Sequence, residues 1–190
     1  MRDIANGKDS DFDPERLVML FNTELANDLG NLLNRSLNMT KRFLDSTLPE
    51  LKHDDEECAS LRESLKQATE RYREAMDQNE VSSALQALNR HVTHCNGFAE
   101  RKKPWELAKD ESKRPHLEAV LSHLCESCAH LAFLLRPVLP EASDKIFAQL
   151  QFEQAPSLTF DELSWGLLPA GHQTGKPKPV FPRIDTTDDS

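Results

Sequence analysis

The residues best equipped to read another molecule lie in two short stretches. The first, "FNTELANDLGNLLNRSLNM" (21–39), sets asparagines at 22, 27, 31, 34 and 38 and an arginine at 35 between leucines. An asparagine amide presents a donor and an acceptor side by side, and arginine presents a fork of donors, a combination suited to the edges of unpaired bases. Asparagine costs several tenths of a kcal/mol against alanine inside a helix, so a cluster of them calls for a return. Recognition is one such return; bonding to neighbouring helices or loops within the fold is the other. The second stretch, "ERKKPW" (100–105), holds the densest basic cluster of the chain, Arg101, Lys102 and Lys103, beside Trp105. A tryptophan there can serve as a platform for a stacked base, with the cations near the adjacent phosphates. The competing reading has Trp105 plug the end of a helical bundle.

Other chemistry-bearing residues read more plainly. "CESC" puts Cys125 and Cys128 at metal-ligand spacing, and His91, His94 and Cys95 of "HVTHC" are conceivable further ligands. The cysteine pair falls inside a helical pattern with Cys128 on its apolar side, and no second C-x2-C accompanies it. Buried free cysteines and no metal are therefore expected. "HVTHC" reads as a helix surface, and the acidic run Asp54 to Glu57 as a helix N-terminus in solvent. The chain shows no phosphate-cradling glycine loop, no G-x-S-x-G and no H-E-x-x-H, so no self-contained catalytic site is visible.

Helical periods position these residues. Asp13 and Pro14 predict a helix start, and the apolar pattern carries this first helix to about Asp45. At about 100° per residue, Leu25, Leu29, Leu32, Leu33 and Ser36 share one side, and Asn27, Asn31, Asn34, Arg35 and Asn38 the other. Gly30 inside this helix predicts close packing against a neighbour. Further helices are predicted over 54–76, 80–100, 115–136 and from Pro140 to about residue 151, with one helical turn after Pro104. The fourth is the most apolar and is expected at the centre. From Phe152 the helical period gives way to proline- and glycine-bearing chain. The expected architecture is all-α: an antiparallel bundle of about five helices over 14–151, an irregular tail over 152–184 and a disordered end at 185–190.

A net charge of −9 argues against wholesale wrapping of nucleic acid, DNA included, while leaving room for a small local site. No run approaches the roughly 18 apolar residues of a membrane span, and the N-terminus lacks the apolar stretch of a signal peptide. The spacing of the four cysteines is not that of a disulfide framework, so a reducing, cytoplasmic setting is expected.

Four segments in order, "DLGNLLNRSLNM" (28–39), "KPWELAKD" (103–110), "LLRPVLPEASDKIFAQL" (134–150) and "KPVFPRI" (178–184), resemble landmarks of the C-terminal anticodon-binding region of the methionyl-tRNA synthetases, class I aminoacyl-tRNA synthetases. "NGKDSDFDPERLVMLFNTELAND" resembles the stretch that leads into it, which makes residues 1–13 the remnant of a connection to a catalytic domain. The resemblance implies that the full enzyme joins methionine to its tRNA with ATP and magnesium, with zinc where an insertion carries it. It implies no cofactor and no catalytic residue in this chain, which would be inactive alone. The implied partners are methionine tRNA and the catalytic domain of the same polypeptide, against which the tail would pack as well as against the bundle. Asn31 and Arg35 match family residues that contact a CAU anticodon, Asn27 lies one turn earlier on that surface, and Trp105 matches the aromatic on which the first anticodon base stacks. Two departures are visible: "ERKKPW" is more basic than the family pattern requires, and "PVFPRI" has valine where leucine is usual. The alternatives are the corresponding domain of another class I synthetase and a helical protein-interaction module.

Overall fold

The computed structural model describes residues 13–155 and 157–185. The expectations placed on residues 1–12 and 186–190 lie outside it. Asp13 starts the first rod by accepting from the Arg16 N–H (3.0 Å), with Pro14 in the first turn of α1 (Pro14–Leu20). The rod continues through a π-helical stretch, Phe21–Gly30, into α2 (Asn31–Leu44), which ends on Asp45 in the left-handed conformation. The wider π turn corrects the uniform α-helical wheel. It rotates the buried side so that Ala26 and Leu29 are buried and Leu25 only partly, before Leu32, Leu33, Ser36 and Leu37 resume the α-helical stripe.

Asp55 caps α3 (Glu56–Asp77) by accepting from the Cys58 N–H at 2.9 Å. A turn with Asn79 at positive φ returns the chain into α4 (Val81–Lys102), and the two helices pack along their length. Their buried residues include Leu61, Leu65, Ala68, Tyr72, Ala84, Leu88, Val92 and Cys95, at helical spacing. The turn expected after Pro104 is α5 (Pro104–Leu107). The fourth predicted helix is α6 (Arg114–Leu135), buried on nearly every face and touching α2, α3, α4, α5 and α7 (Pro140–Leu150). These long rods make an all-α bundle, and no strand is present among the described residues.

The rest of the chain lies back across the helices. Buried Glu126 of α6 accepts from the backbone N–H groups of Gly166, Leu167 and Leu168 at 2.7, 2.7 and 2.9 Å and pairs with His130 at 3.2 Å. Burial pushes the Glu126 carboxyl up, but these bonds outweigh it and hold it below its usual range. Further on, Gly171 donates to the Leu48 carbonyl, Thr47 bridges Gln173, and the Lys178 N–H donates to Gln149 Oε1. The segment finishes on the first rod, where Phe181 sets its ring edge-on to Phe21 with centroids 6.2 Å apart. A Cβ at Gly30 would meet the Leu25 carbonyl oxygen of the same rod at 3.0 Å and Phe181 of the tail at 3.6 Å, so the tight approach at this glycine is that of the rod's own backbone, with the tail in ordinary contact beside it.

Candidate nucleic-acid interface

The five asparagines of the first rod divide by what they bond. Asn22 works as a backbone surrogate: its amide donates to the Ile184 carbonyl and its oxygen accepts from the Ile184 N–H, each at 2.9 Å. Asn27 Oδ1 accepts from Nε and Nη2 of Arg183 at 3.1 and 2.6 Å. Asn38 donates to the carbonyl and the side-chain oxygen of Asn34, one turn earlier on α2. Asn31 alone is exposed without a side-chain hydrogen bond among the described residues. The structural account therefore explains four of the five and leaves one donor–acceptor pair facing outward.

One turn beyond Asn31, Arg35 lies with its guanidinium carbon 5.5 Å from the centre of the Trp105 ring. Its Nη2 donates to Glu100 Oε1 at 2.6 Å. Both members of this pair are substantially exposed, 40% and 58%, so the bond is screened and worth about 0–1 kcal/mol. Lys103, the last residue before Pro104, adopts φ 47° at the end of α4 and turns the chain so that α5 starts in a new direction. Leu107 and Ala108 pack with Leu117 and Leu121 of α6 and Leu44 of α2. That packing fixes the base of the Trp105 platform and leaves the ring partly open.

The basic cluster is divided. Arg101 donates to Glu57 (3.1 Å), and Lys102 pairs with Asp55 (2.5 Å) and Glu57 (3.5 Å). Burial lowers the affinity of Lys102 for its proton, but the bond to Asp55 more than offsets this, so its pKa rises. Burial likewise raises the Asp55 carboxyl, and the bonds from Lys102, the Cys58 N–H and His53 outweigh it and hold it well below its usual range. Lys103 is exposed and has no ion pair among the described residues. Asp54 to Glu57 is the expected helix N-terminus, with Asp54 and Glu56 exposed, but its acids do more than face solvent: Asp55 and Glu57 pair with α4, and Asp54 with Arg62.

"HVTHC" also departs from expectation. His91 and Cys95 are buried, with Nδ1 of His91 3.1 Å from Ser64 Oγ and Nε2 3.3 Å from Cys95 Sγ, so this is an inward face of α4. Cys58, Cys95, Cys125 and Cys128 are free and buried. Burial pushes the Cys95 thiol up to about 12 and Cys125 to about 11. Two residues of the surface were not singled out from sequence, Glu100 and Arg183. An acid at the head of "ERKKPW" was a signal for the first; for the second, nothing short of the fold links residue 183 to residue 27.

The bundle thus presents one polar face on which α2, the end of α4 and α5 bring together an amide, a guanidinium and an open indole. Known proteins share its plan. Residues 48–190 match the family model described as the anticodon binding domain of methionyl tRNA ligase. Over 190 residues the chain is 35% identical to the methionine–tRNA ligase of Fusobacterium nucleatum, an alignment covering 97% of the chain and 29% of that protein. It is 36% identical over 191 residues to the ligase of Halalkalibacterium halodurans, covering all of the chain and 29% of that protein. The apo crystal structure of Mycobacterium tuberculosis methionyl-tRNA synthetase superposes with a TM-score of 0.88 at 29% identity, over 96% of this chain and 37% of that one. The structure of the same synthetase with methionyl-adenylate gives 0.83. The chain belongs to the family of methionyl-tRNA ligase anticodon-binding domains, and it spans under a third of the length of these curated relatives.

Proposed function

We propose that this chain binds the anticodon loop of methionine tRNA and reads its CAU triplet, as part of a longer methionine–tRNA ligase that uses ATP and magnesium. The observation that carries the reading is the placement of Arg35 against Trp105 with Asn31 unpartnered one helical turn away. Cytosine offers an amino donor beside carbonyl and ring-nitrogen acceptors. Asn31 Oδ1 accepts from the amino group, Arg35 donates to the acceptors, and Trp105 takes the base on its face. Each unmatched polar group costs about 1–3 kcal/mol, and stacking supplies about 1–3 kcal/mol without selecting sequence.

Glu100 sets a threshold for this exchange, because Arg35 leaves its carboxylate to meet a base. A base that satisfies both Arg35 and Asn31 compensates for that loss; one that satisfies neither does not. Asn27 has its oxygen committed to Arg183 and contributes its amide donors at most. Lys103 is the basic residue free for a phosphate, while Arg101 and Lys102 serve one only by leaving Asp55 and Glu57. The tail over 152–184 packs on the bundle and, in this proposal, on the catalytic domain of the same polypeptide.

The test is a titration of an anticodon stem-loop. Trp105→Ala is expected to weaken binding of the CAU loop by about tenfold or more, the equivalent of about 1.4 kcal/mol, with helicity unchanged. Equal affinity of the variant would refute stacking, and tighter binding of a loop with another first base would refute the CAU assignment.

A further inference from the structure

Away from the reading face, one cluster brings oxygen, sulfur and nitrogen donors from two elements to a single point. Asp54 lies just before α3, Cys58 in its first turn, and His123 on the side of α6 that faces them. Their ligating atoms all lie within 4.8 Å of one another. Cys58 and His123 are buried and Asp54 reaches solvent, so the cluster has a dry floor and an open side. A cleft of about 430 Å³ adjoins it, lined by Leu51, Lys52, His53, Asp54, Arg62 and His123.

The histidine is oriented as a ligand would be. Its Nδ1 lies 2.8 Å from the Ala119 carbonyl oxygen, which can only accept, so Nδ1 carries the ring proton and the Nε2 lone pair points at the cluster. Metal-binding histidines are commonly fixed this way, by a backbone carbonyl on the far nitrogen. The cluster also holds positive charge already. The Arg62 guanidinium donates to both Asp54 oxygens at 2.8 and 2.6 Å and to His123 Nε2 at 2.7 Å.

We propose that Asp54, Cys58 and His123 form a site for a divalent transition metal of the zinc class, in which the ion takes the position of the Arg62 guanidinium. The donor set selects the class: a thiolate and an imidazole suit zinc or cobalt, and neither suits magnesium or calcium. Binding draws the three atoms in toward the roughly 3.5 Å separations of a tetrahedron with metal–ligand bonds of about 2.0–2.3 Å. The Cys58 thiol gives its proton to solvent as the metal–sulfur bond forms, and a water fills the fourth position. Arg62 swings out of the cluster, giving up its partly exposed pair with Asp54, its bond to His123 and its present place 5.8 Å from the centre of the Trp165 ring. The ion would tie the start of α3 to the middle of α6.

Cobalt(II) is the probe, because thiolate ligation gives a charge-transfer band that carboxylate and imidazole do not. The reduced chain is expected to bind one equivalent with that band. Arg62→Gln should bind it more tightly, and Asp54→Asn more weakly, each by roughly tenfold or more. Cys58→Ser should lose the band, and its far-UV circular dichroism shows whether it is folded. Should it fail to fold, alkylation of Cys58 in the native chain, blocked by prior cobalt, replaces it. Absence of a saturable one-to-one spectrum in both the native chain and Arg62→Gln would overturn the proposal. So would a band that survives loss of Cys58, which would place the metal on Cys95, Cys125 or Cys128, and so would unchanged affinity in Arg62→Gln.

Discussion

Asn31 and Asn34 occupy the same exposed side of one helix, yet only the first is available to a ligand. Asn34 is bound to Asn38, and its loss removes a bond at the surface of α2 and nothing from the reading face. Asn31→Ala is therefore expected to weaken the CAU stem-loop by about 1–3 kcal/mol while Asn34→Ala leaves it within about 0.5 kcal/mol, as read by parallel titrations. A second residue-scale consequence concerns His91. Burial first, then the nearby His94 and His130, hold its pKa down to about 3. The folded chain keeps this ring neutral while the unfolded chain protonates it below about 6.5. A depressed histidine contributes stability above that value and loses it as pH falls toward the folded pKa, on the order of 4 kcal/mol across the window. Denaturant melts taken between pH 7 and pH 4 should show that decline, and His91→Gln should flatten it.

At the scale of elements, the helices were legible where a single period ran unbroken. Pro14, Pro104 and Pro140 each mark an observed start, and the apolar stripes of α3, α4 and α6 are the observed core. The first rod was legible as a helix but not as a π turn, because an extra residue per turn leaves no trace in a leucine pattern sampled over three turns. "HVTHC" departs for a related reason: a histidine next to Arg90 looks exposed until α3 supplies Ser64 opposite it. Trp105 and Arg35 were each legible, whereas Glu100 on Arg35 and Arg183 on Asn27 depend on contacts across 65 and 156 residues. Gly30 links the local and the distant. Alanine there gains about 1 kcal/mol of helix propensity but sets its Cβ at 3.0 Å from the Leu25 carbonyl and against Phe181. Overpacking of that kind costs about 1–3 kcal/mol, so Gly30→Ala is expected to lower the melting temperature, and a rise would contradict the packing described.

Taken whole, the molecule carries a net charge of −9 and a small proposed reading face whose cations are mostly committed to acids. Under the proposed function, such a surface would bind through base contacts more than through counterion release. With one or two phosphates neutralised, the slope of log affinity against log salt should fall at about −0.7 to −1.4, which titrations at several salt concentrations would measure. A slope several times steeper would require Arg101 and Lys102 to leave their partners. No helix among the described residues is long and apolar enough to cross a membrane.

The bonds between Asn22 and Ile184 join positions 162 residues apart. Contacts of that span are entropically the hardest to close and are made late, when most of the chain is already ordered. The π-helical stretch precedes the long helices of the bundle in the chain, yet the segment that covers it follows every one of those helices described. Its amides should therefore acquire slow hydrogen exchange last during refolding, and they should lose it first when the closing segment comes away. Within this bundle, a segment made before the long helices is thus the one that finishes folding last.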